Sequence, residues 1–151
     1  MNSKSLLTQA VQEYPDFVDS CDLTSYTRDY KKCYMYILVN KSLNMTPGKV
    51  AAQVGHAVEK LTLSCHKAPI YKAFKYNGCP KIVLSVPTEE KFVEVLDQTK
   101  KLGKIYIIDE GLTQVPKDSV TVVGYKLLYE NEVPTVIKSL SYRPKYGVTS
   151  K

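Results

Sequence analysis

Two stretches of the chain gather residue types suited to hydrolytic chemistry. Residues 41–56 (KSLNMTPGKVAAQVGH) carry Lys49, Gln53 and His56 at i, i+4 and i+7, a spacing that projects all three from one side of a helix. The lysine could neutralise an anion and the histidine could move a proton. The same spacing also describes a solvent-edge stripe with a packed histidine and a surface lysine. Residues 109–119 (DEGLTQVPKDS) open with Asp109 directly behind the apolar run KIYII. A carboxylate there is poorly solvated, and its pKa answers to a neighbour such as Lys49. Asp109 is thus a candidate base. Gly111 permits an unusual backbone angle, and Thr113, Gln114, Ser119 and Thr121 supply hydroxyl and amide groups to orient a water or a carbonyl. A plain Asx-turn leading into a polar loop is the competing reading of that segment.

Other chemistries are excluded by spacing. Gly48-Lys49 is followed by Val50 and lacks the earlier glycine of a phosphate-binding loop, and Gly48 and Gly55 do not make a dinucleotide fingerprint. The four cysteines, Cys21, Cys33, Cys65 and Cys79, form no CxxC pair and no zinc-ligand pattern. None lies in either segment, which argues against a cysteine nucleophile. They read as reduced intracellular thiols.

The two segments must be held by regular elements. Residues 34–39 (YMYILV) form a continuous apolar run of strand length, as in a strand covered on both faces. Thr46 then serves as N-cap and Pro47 as first residue of a helix expected to reach about His66. Small residues Ala51, Ala52, Gly55 and Ala57 let it approach a sheet. A short helix ends at 71–76, closed by Asn77-Gly78, and residues 81–86 (KIVLSV) are a second strand. A helix is expected over 88–102, its charges complementing its dipole, with Gly103 as its stop. Residues 104–108 and 119–128 are a third and fourth strand, and a last helix starts near Glu130 or Asn131 with Pro134 in its first turn. The order indicates an α/β sandwich with helices on the sheet faces. Ligands in such sheets gather at the carboxyl ends of strands, which both segments leave.

The 151 residues suffice for one core, with residues 1–33 read as an N-terminal extension, loosely packed or partly disordered, 34–142 as the domain and 143–151 as a flexible tail. A possible short helix covers 6–11. No segment approaches the length of a membrane span and no secretory pattern opens the chain, so the expectation is a cytoplasmic protein with no membrane contact. Residues 1–33 have a net charge of −1 and residues 34–151 a net charge of +7. A basic domain suits a polyanionic partner, although a solvated lysine face is equally ordinary. Of the 21 basic residues 19 are lysine, which favours phosphate contacts over base reading by arginine.

Three blocks, GKVAAQVGHA (48–57), GCPKIVLSV (78–86) and DEGLTQVPKDSVTVVG (109–124), together resemble the type 2 peptidyl-tRNA hydrolase family of archaea and eukaryotes over residues 34–142. The resemblance implies an α/β fold, a three-layer α/β/α sandwich around a mixed four-stranded sheet, and hydrolysis of the ester joining a peptide to the 3′-terminal ribose of tRNA, with peptidyl-tRNA as partner, no metal or other cofactor, and a homodimer by analogy. By motif position it places the functional residues at Lys49, Asp109 and Thr113, with Gln53, His56, Gln114, Ser119 and Thr121 around them. Departures fall at Pro47 and Leu112, where the family often has a basic residue, at Glu110, where it tends to have alanine, and at Lys117-Asp118, where it has Pro-Gly. Local positive charge is therefore lower than in the family.

Ester hydrolysis needs a positioned water, stabilisation of the tetrahedral oxyanion and management of charge on the leaving hydroxyl. The expected roles are water orientation or deprotonation by Asp109, oxyanion or phosphate stabilisation by Lys49, and a hydroxyl contact to the water by Thr113. An alternative makes His56 the base with Asp109 orienting its ring. Six lysines, Lys41, Lys60, Lys67, Lys104, Lys117 and Lys126, are the candidates for phosphate contacts around the site. A rival of another class is a catalytically silent RNA-binding or protein-interaction module of the same fold. Against it stands the joint presence of Lys49, Asp109 and Thr113.

Overall fold

The structure, a computed structural model, describes Ser5, Leu6, Gln9 and residues 31–111 and 115–142. The expected extension lies outside these residues except at Ser5, Leu6, Gln9 and 31–33. The tail, Thr113 and Gln114 lie wholly outside them. The elements run β1 (Cys33–Asn40), α1 (Pro47–Cys65), α2 (Pro69–Tyr76), β2 (Lys81–Val86), α3 (Glu89–Gln98), β3 (Lys104–Asp109), β4 (Ser119–Tyr125), β5 (Leu128–Tyr129), α4 (Thr135–Lys138) and β6 (Ser141–Tyr142).

The sheet order is β3-β4-β1-β2-β6, with β5 also paired to β1. β1 pairs with β2 in parallel and with β4 antiparallel, so the sheet is mixed. Alternation along β1 divides the core. Met35, Ile37 and Val39 pack with Val50, Ala57 and Leu61 of α1 and Phe74 of α2, while Tyr36 and Leu38 pack with Phe92 and Val95 of α3 and Ile137 of α4. That is the three-layer sandwich, and it explains why the β1 run is apolar throughout. Gly124 of β4 marks the closest approach of α1, because a Cβ there would sit 2.7 Å from a Leu61 methyl. Among the described residues no helix is long and apolar enough to cross a membrane.

Several boundaries differ from the sequence reading. α3 ends at Gln98 rather than 102. The Thr99 hydroxyl lies 2.8 Å from both the Val95 carbonyl oxygen and the Tyr125 hydroxyl, and Lys104 Nζ donates to the Thr99 and Leu102 carbonyl oxygens at 2.8 and 2.9 Å. Residues 99–102 thus form a turn whose carbonyls are met from β3. The strand expected over 119–128 breaks after Tyr125, because the pairings Ile37↔Gly124 and Cys33↔Tyr129 differ by one residue in register. The last helix is a 3-10 turn, Glu130–Glu132, and then the four-residue α4. Pro134 has no N–H to donate and forces Val133 to extended backbone. Ser141 and Tyr142 add a short strand to β2, giving two two-residue strands beyond the expected four.

Candidate active site

The first turn of α1 places Lys49. Thr46 caps the helix, its Oγ1 accepting from the Lys49 N–H at 3.3 Å, and Pro47 stands at the first helical position, where a missing N–H costs nothing. Lys49 and Gln53, one turn apart, face the end of β3. That strand lies at the edge of the sheet, and Asp109 is its last residue, inside the strand rather than just behind it.

A β-bulge builds the rest of the site. Ile107 pairs with Val122 but Ile108 pairs with Val120, leaving Thr121 as the extra residue on β4. The bulge lets Thr121 and Val122, successive residues, both face α1. The fully buried Thr121 Oγ1 lies 3.1 Å from Gln53 Oε1 and 3.0 Å from the Ile107 carbonyl oxygen, sharing its one hydrogen between them. With its oxygen turned to Thr121, the Gln53 amide presents Nε2 to Asp109 Oδ2 at 3.5 Å.

Asp109 is the focus of these contacts. Its Oδ2 accepts from Lys49 Nζ in an ion pair whose side chains are only 12% and 7% exposed. Its Oδ1 accepts the Gly111 N–H at 2.6 Å, and its carbonyl oxygen accepts the Asp118 N–H at 2.7 Å. The Lys49 hydrogen bond first, and then the Gly111 N–H, hold the carboxyl below its ordinary pKa despite a desolvation cost in the opposite direction. Asp109 is therefore ionised at neutral pH. The turn that supplies the N–H requires glycine: Gly111 has φ +80°, and a Cβ would lie 2.7 Å from the Lys117 backbone. Asp118 at φ 63° occupies the left-handed region that favours glycine.

A cleft of about 380 Å³ opens over this pair between α1 and β3, lined by Lys49, Gln53, His56, Lys60, Ile107, Ile108, Asp109 and Glu110. The stripe continues along one wall, with His56 and Lys60 exposed. Among the described residues the carboxylate of Asp109 meets Lys49, Gln53 and Gly111, and His56 makes no hydrogen bond to it. Ser119, opposite Asp109 in the ladder, donates its hydroxyl to the Pro116 carbonyl oxygen at 2.6 Å and so braces the loop. Asn40 was not singled out by sequence. Its Nδ2 donates to the Val120 carbonyl oxygen at 2.9 Å and its Oδ1 accepts from Ser42 at 2.6 Å, tying the end of β1 to the start of β4. A polar residue closing an apolar strand at its carboxyl end was the available signal.

The candidate phosphate-binding lysines do not all surround the cleft. Lys60 lines it, Lys41 lines a neighbouring hollow at the end of β1, and Lys117 stands on the loop beside Gly111. Lys104 is at the opposite end of β3, about 17 Å away by strand length, where it holds two carbonyls and lies over the Tyr125 ring. Burial lowers its pKa. Lys126 pairs with Gly103 at that same end. Lys67 follows the far end of α1, about 24 Å along the helix axis from Lys49.

Residues 33–142 match the family model described as peptidyl-tRNA hydrolase PTH2. The chain is similar to peptidyl-tRNA hydrolase 2, mitochondrial, of Bos taurus, 35% identical over 114 residues, covering 73% of this chain and 62% of that protein. It is also similar to a probable peptidyl-tRNA hydrolase 2 of Dictyostelium discoideum, 29% identical over 76% of this chain and 57% of that protein. A peptidyl-tRNA hydrolase of Metallosphaera sedula is 33% identical over 60% of this chain and 82% of its own length. The chain thus spans less than two thirds of the two eukaryotic relatives and most of the archaeal one.

Proposed function

The chain belongs to the peptidyl-tRNA hydrolase PTH2 family, and from that premise we propose that it hydrolyses the ester between a peptide and the 3′-terminal ribose of tRNA. The observation that carries the reading is the largely buried Lys49–Asp109 pair at the mouth of an open cleft. Two opposite charges kept from water and cross-braced by Gln53 and Thr121 cost desolvation that a purely structural site has little reason to bear.

In this reading a water adds to the ester carbonyl and gives up a proton to solvent, a tetrahedral oxyanion forms, and the bond to the ribose oxygen breaks as that oxygen takes a proton from solvent, leaving a free tRNA hydroxyl and a peptide carboxylic acid that ionises to the carboxylate. Asp109, with its pKa lowered, is a weak base, so its role is to orient the attacking water through its remaining lone pairs and to hold Lys49. The Lys49 ammonium stabilises the developing oxyanion. Thr113, four residues after Asp109, supplies a hydroxyl to the same water. The contacts of the Asp109 carboxylate favour this arrangement over one with His56 as base. Lys60, Lys41 and Lys117 meet tRNA phosphates, and the enzyme works in the cytoplasm, as a homodimer by analogy with its family.

The test is release of the blocked amino acid from N-acetyl-aminoacyl-tRNA by purified protein, with unblocked aminoacyl-tRNA alongside. Release from the blocked substrate, falling by about 10²–10³-fold in Lys49→Ala and Asp109→Ala, is the expected result. Salt-sensitive tRNA binding without release would make the protein a silent binding module.

A further inference from the structure

The reaction centre also has an apolar groove beside it. On the α3 face of the sheet a groove of about 300 Å³ runs between α3 and the start of β4, at the lower end of the range occupied by small-ligand clefts. Its walls and floor include Leu43, Phe92, Leu96 and Val120, with Val93 on the rim, 61% exposed. We infer that this groove takes an apolar side chain of the peptide moiety of the substrate, an inference that rests on the ester-hydrolysis reading above.

Charge argues for that occupant. Among the described residues the ionisable side chains lining the groove are Glu89 and Asp118, both acidic, while Lys41 and Lys117, next to it in the chain, are not part of its lining, so its interior offers an anion no cation. The cleft on the α1 face has Lys49, Lys60 and His56 along one wall. An ester substrate sends its two halves in different directions from the carbonyl carbon. The nucleic acid takes the side with cations and the uncharged peptide takes the apolar side.

Continuity argues for it as well. Ile108, 56% exposed at the sheet edge, lines the catalytic cleft and pairs with Val120, which lines the groove. Asp118 and Ser119 line the groove too, the first donating its N–H to the Asp109 carbonyl oxygen and the second pairing with Asp109 across the ladder. The groove therefore begins one ladder position from the carboxylate, and Ile108 and Val120 give a peptide an apolar path to it over the β3 edge.

The experiment compares Val93→Asp and Val93→Leu with wild type on two substrates: tRNA carrying N-acetylglycine, which has no side chain to dock, and tRNA carrying an N-acetylated tripeptide rich in leucine. Val93 is on the rim, so its replacement spares the core. Val93→Asp is expected to lower kcat/KM for the tripeptide substrate by about tenfold, mainly through KM, and to leave N-acetylglycyl-tRNA unchanged, with Val93→Leu close to wild type on both. Equal loss on the two substrates, or no loss on either, would overturn the docking inference while leaving the hydrolase reading intact. Failure of the wild type to hydrolyse either substrate would overturn both.

Discussion

The hydroxyl of Thr121 decides which end of the Gln53 amide faces Asp109. With Thr121 Oγ1 3.1 Å from Gln53 Oε1, the amide nitrogen is the atom left to approach the carboxylate. Thr121→Val removes the donor and leaves two buried oxygens, Gln53 Oε1 and the Ile107 carbonyl, without their partner. Urea unfolding is expected to show a loss of about 1–3 kcal/mol. Turnover should fall with KM unchanged, and Thr121→Ser should restore most of both. An undiminished kcat in the destabilised Thr121→Val would show that Gln53 does not position the carboxylate.

The ionised state of Asp109 has a pH signature. Its pKa is lower folded than unfolded, where an aspartate titrates near 3.9. Its stabilising contribution is therefore complete above that value and is lost as pH falls through the lower, folded value. Asp109→Asn should be less stable than wild type at pH 7, and the difference between them should shrink below about pH 4. Activity attributable to this carboxylate should show no acid limb between pH 5 and 7. Denaturant melts of the two proteins from pH 3 to 7, with a pH–rate profile of the wild type, read both. A stability gap that persists unchanged at pH 3 would contradict the charged pair.

Among the described residues of the loop after Asp109, Gly111 and Asp118 are left-handed, with opposite expected responses. Gly111→Ala must place a methyl against the Lys117 backbone at φ +80°, and a loss of about 1–3 kcal/mol is expected, with reduced turnover because the Gly111 N–H moves from Asp109. Asp118 sits at φ 63°, a conformation glycine adopts without a Cβ penalty. Asp118→Gly should raise stability by about 0.5–1 kcal/mol, and thermal melts of both variants check the two signs together.

What was legible in the sequence was local chemistry. Thr46 and Pro47 announce the start of α1 because cap and first-turn preferences act within a few residues, and the apolar run of β1 announces a strand buried on both faces. The end of α3 was not legible. Thr99 is held by Tyr125, a distant partner, and Lys104, though close in sequence, meets the carbonyls of the turn only because β3 leads away from it, while the charge pattern at Lys100 and Lys101 argues locally for continuation. The bulge at Thr121 is invisible for the same reason, since an extra residue exists only relative to the strand opposite it. The sheet-end placement of Lys49 and Asp109 could be reasoned from strand order, but the side-chain ladder from Thr121 through Gln53 to Asp109 depends on that bulge. The two-residue strands β5 and β6 carry too few residues for any periodicity.

The position of the lysines separates binding of tRNA from the mere excess of positive charge. Removing a lysine that neutralises a phosphate takes about 0.7–0.9 from the slope of log affinity against log salt, whereas a lysine remote from the bound nucleic acid leaves that slope alone. Lys60, on the cleft wall, and Lys41, beside the end of β1, are expected to lower the slope by about 1 each when changed to alanine. Lys126, at the opposite end of β3, is expected to leave it unchanged. Lys104 differs from all three: Lys104→Met should cost stability, because the Thr99 and Leu102 carbonyls lose their donor, with little effect on binding. Filter-binding or fluorescence titrations of deacylated tRNA across a range of salt concentrations provide the slopes. If Lys126→Ala lowered the slope as much as Lys60→Ala, tRNA would have to span the whole length of β3, and the cleft would not be its principal binding surface.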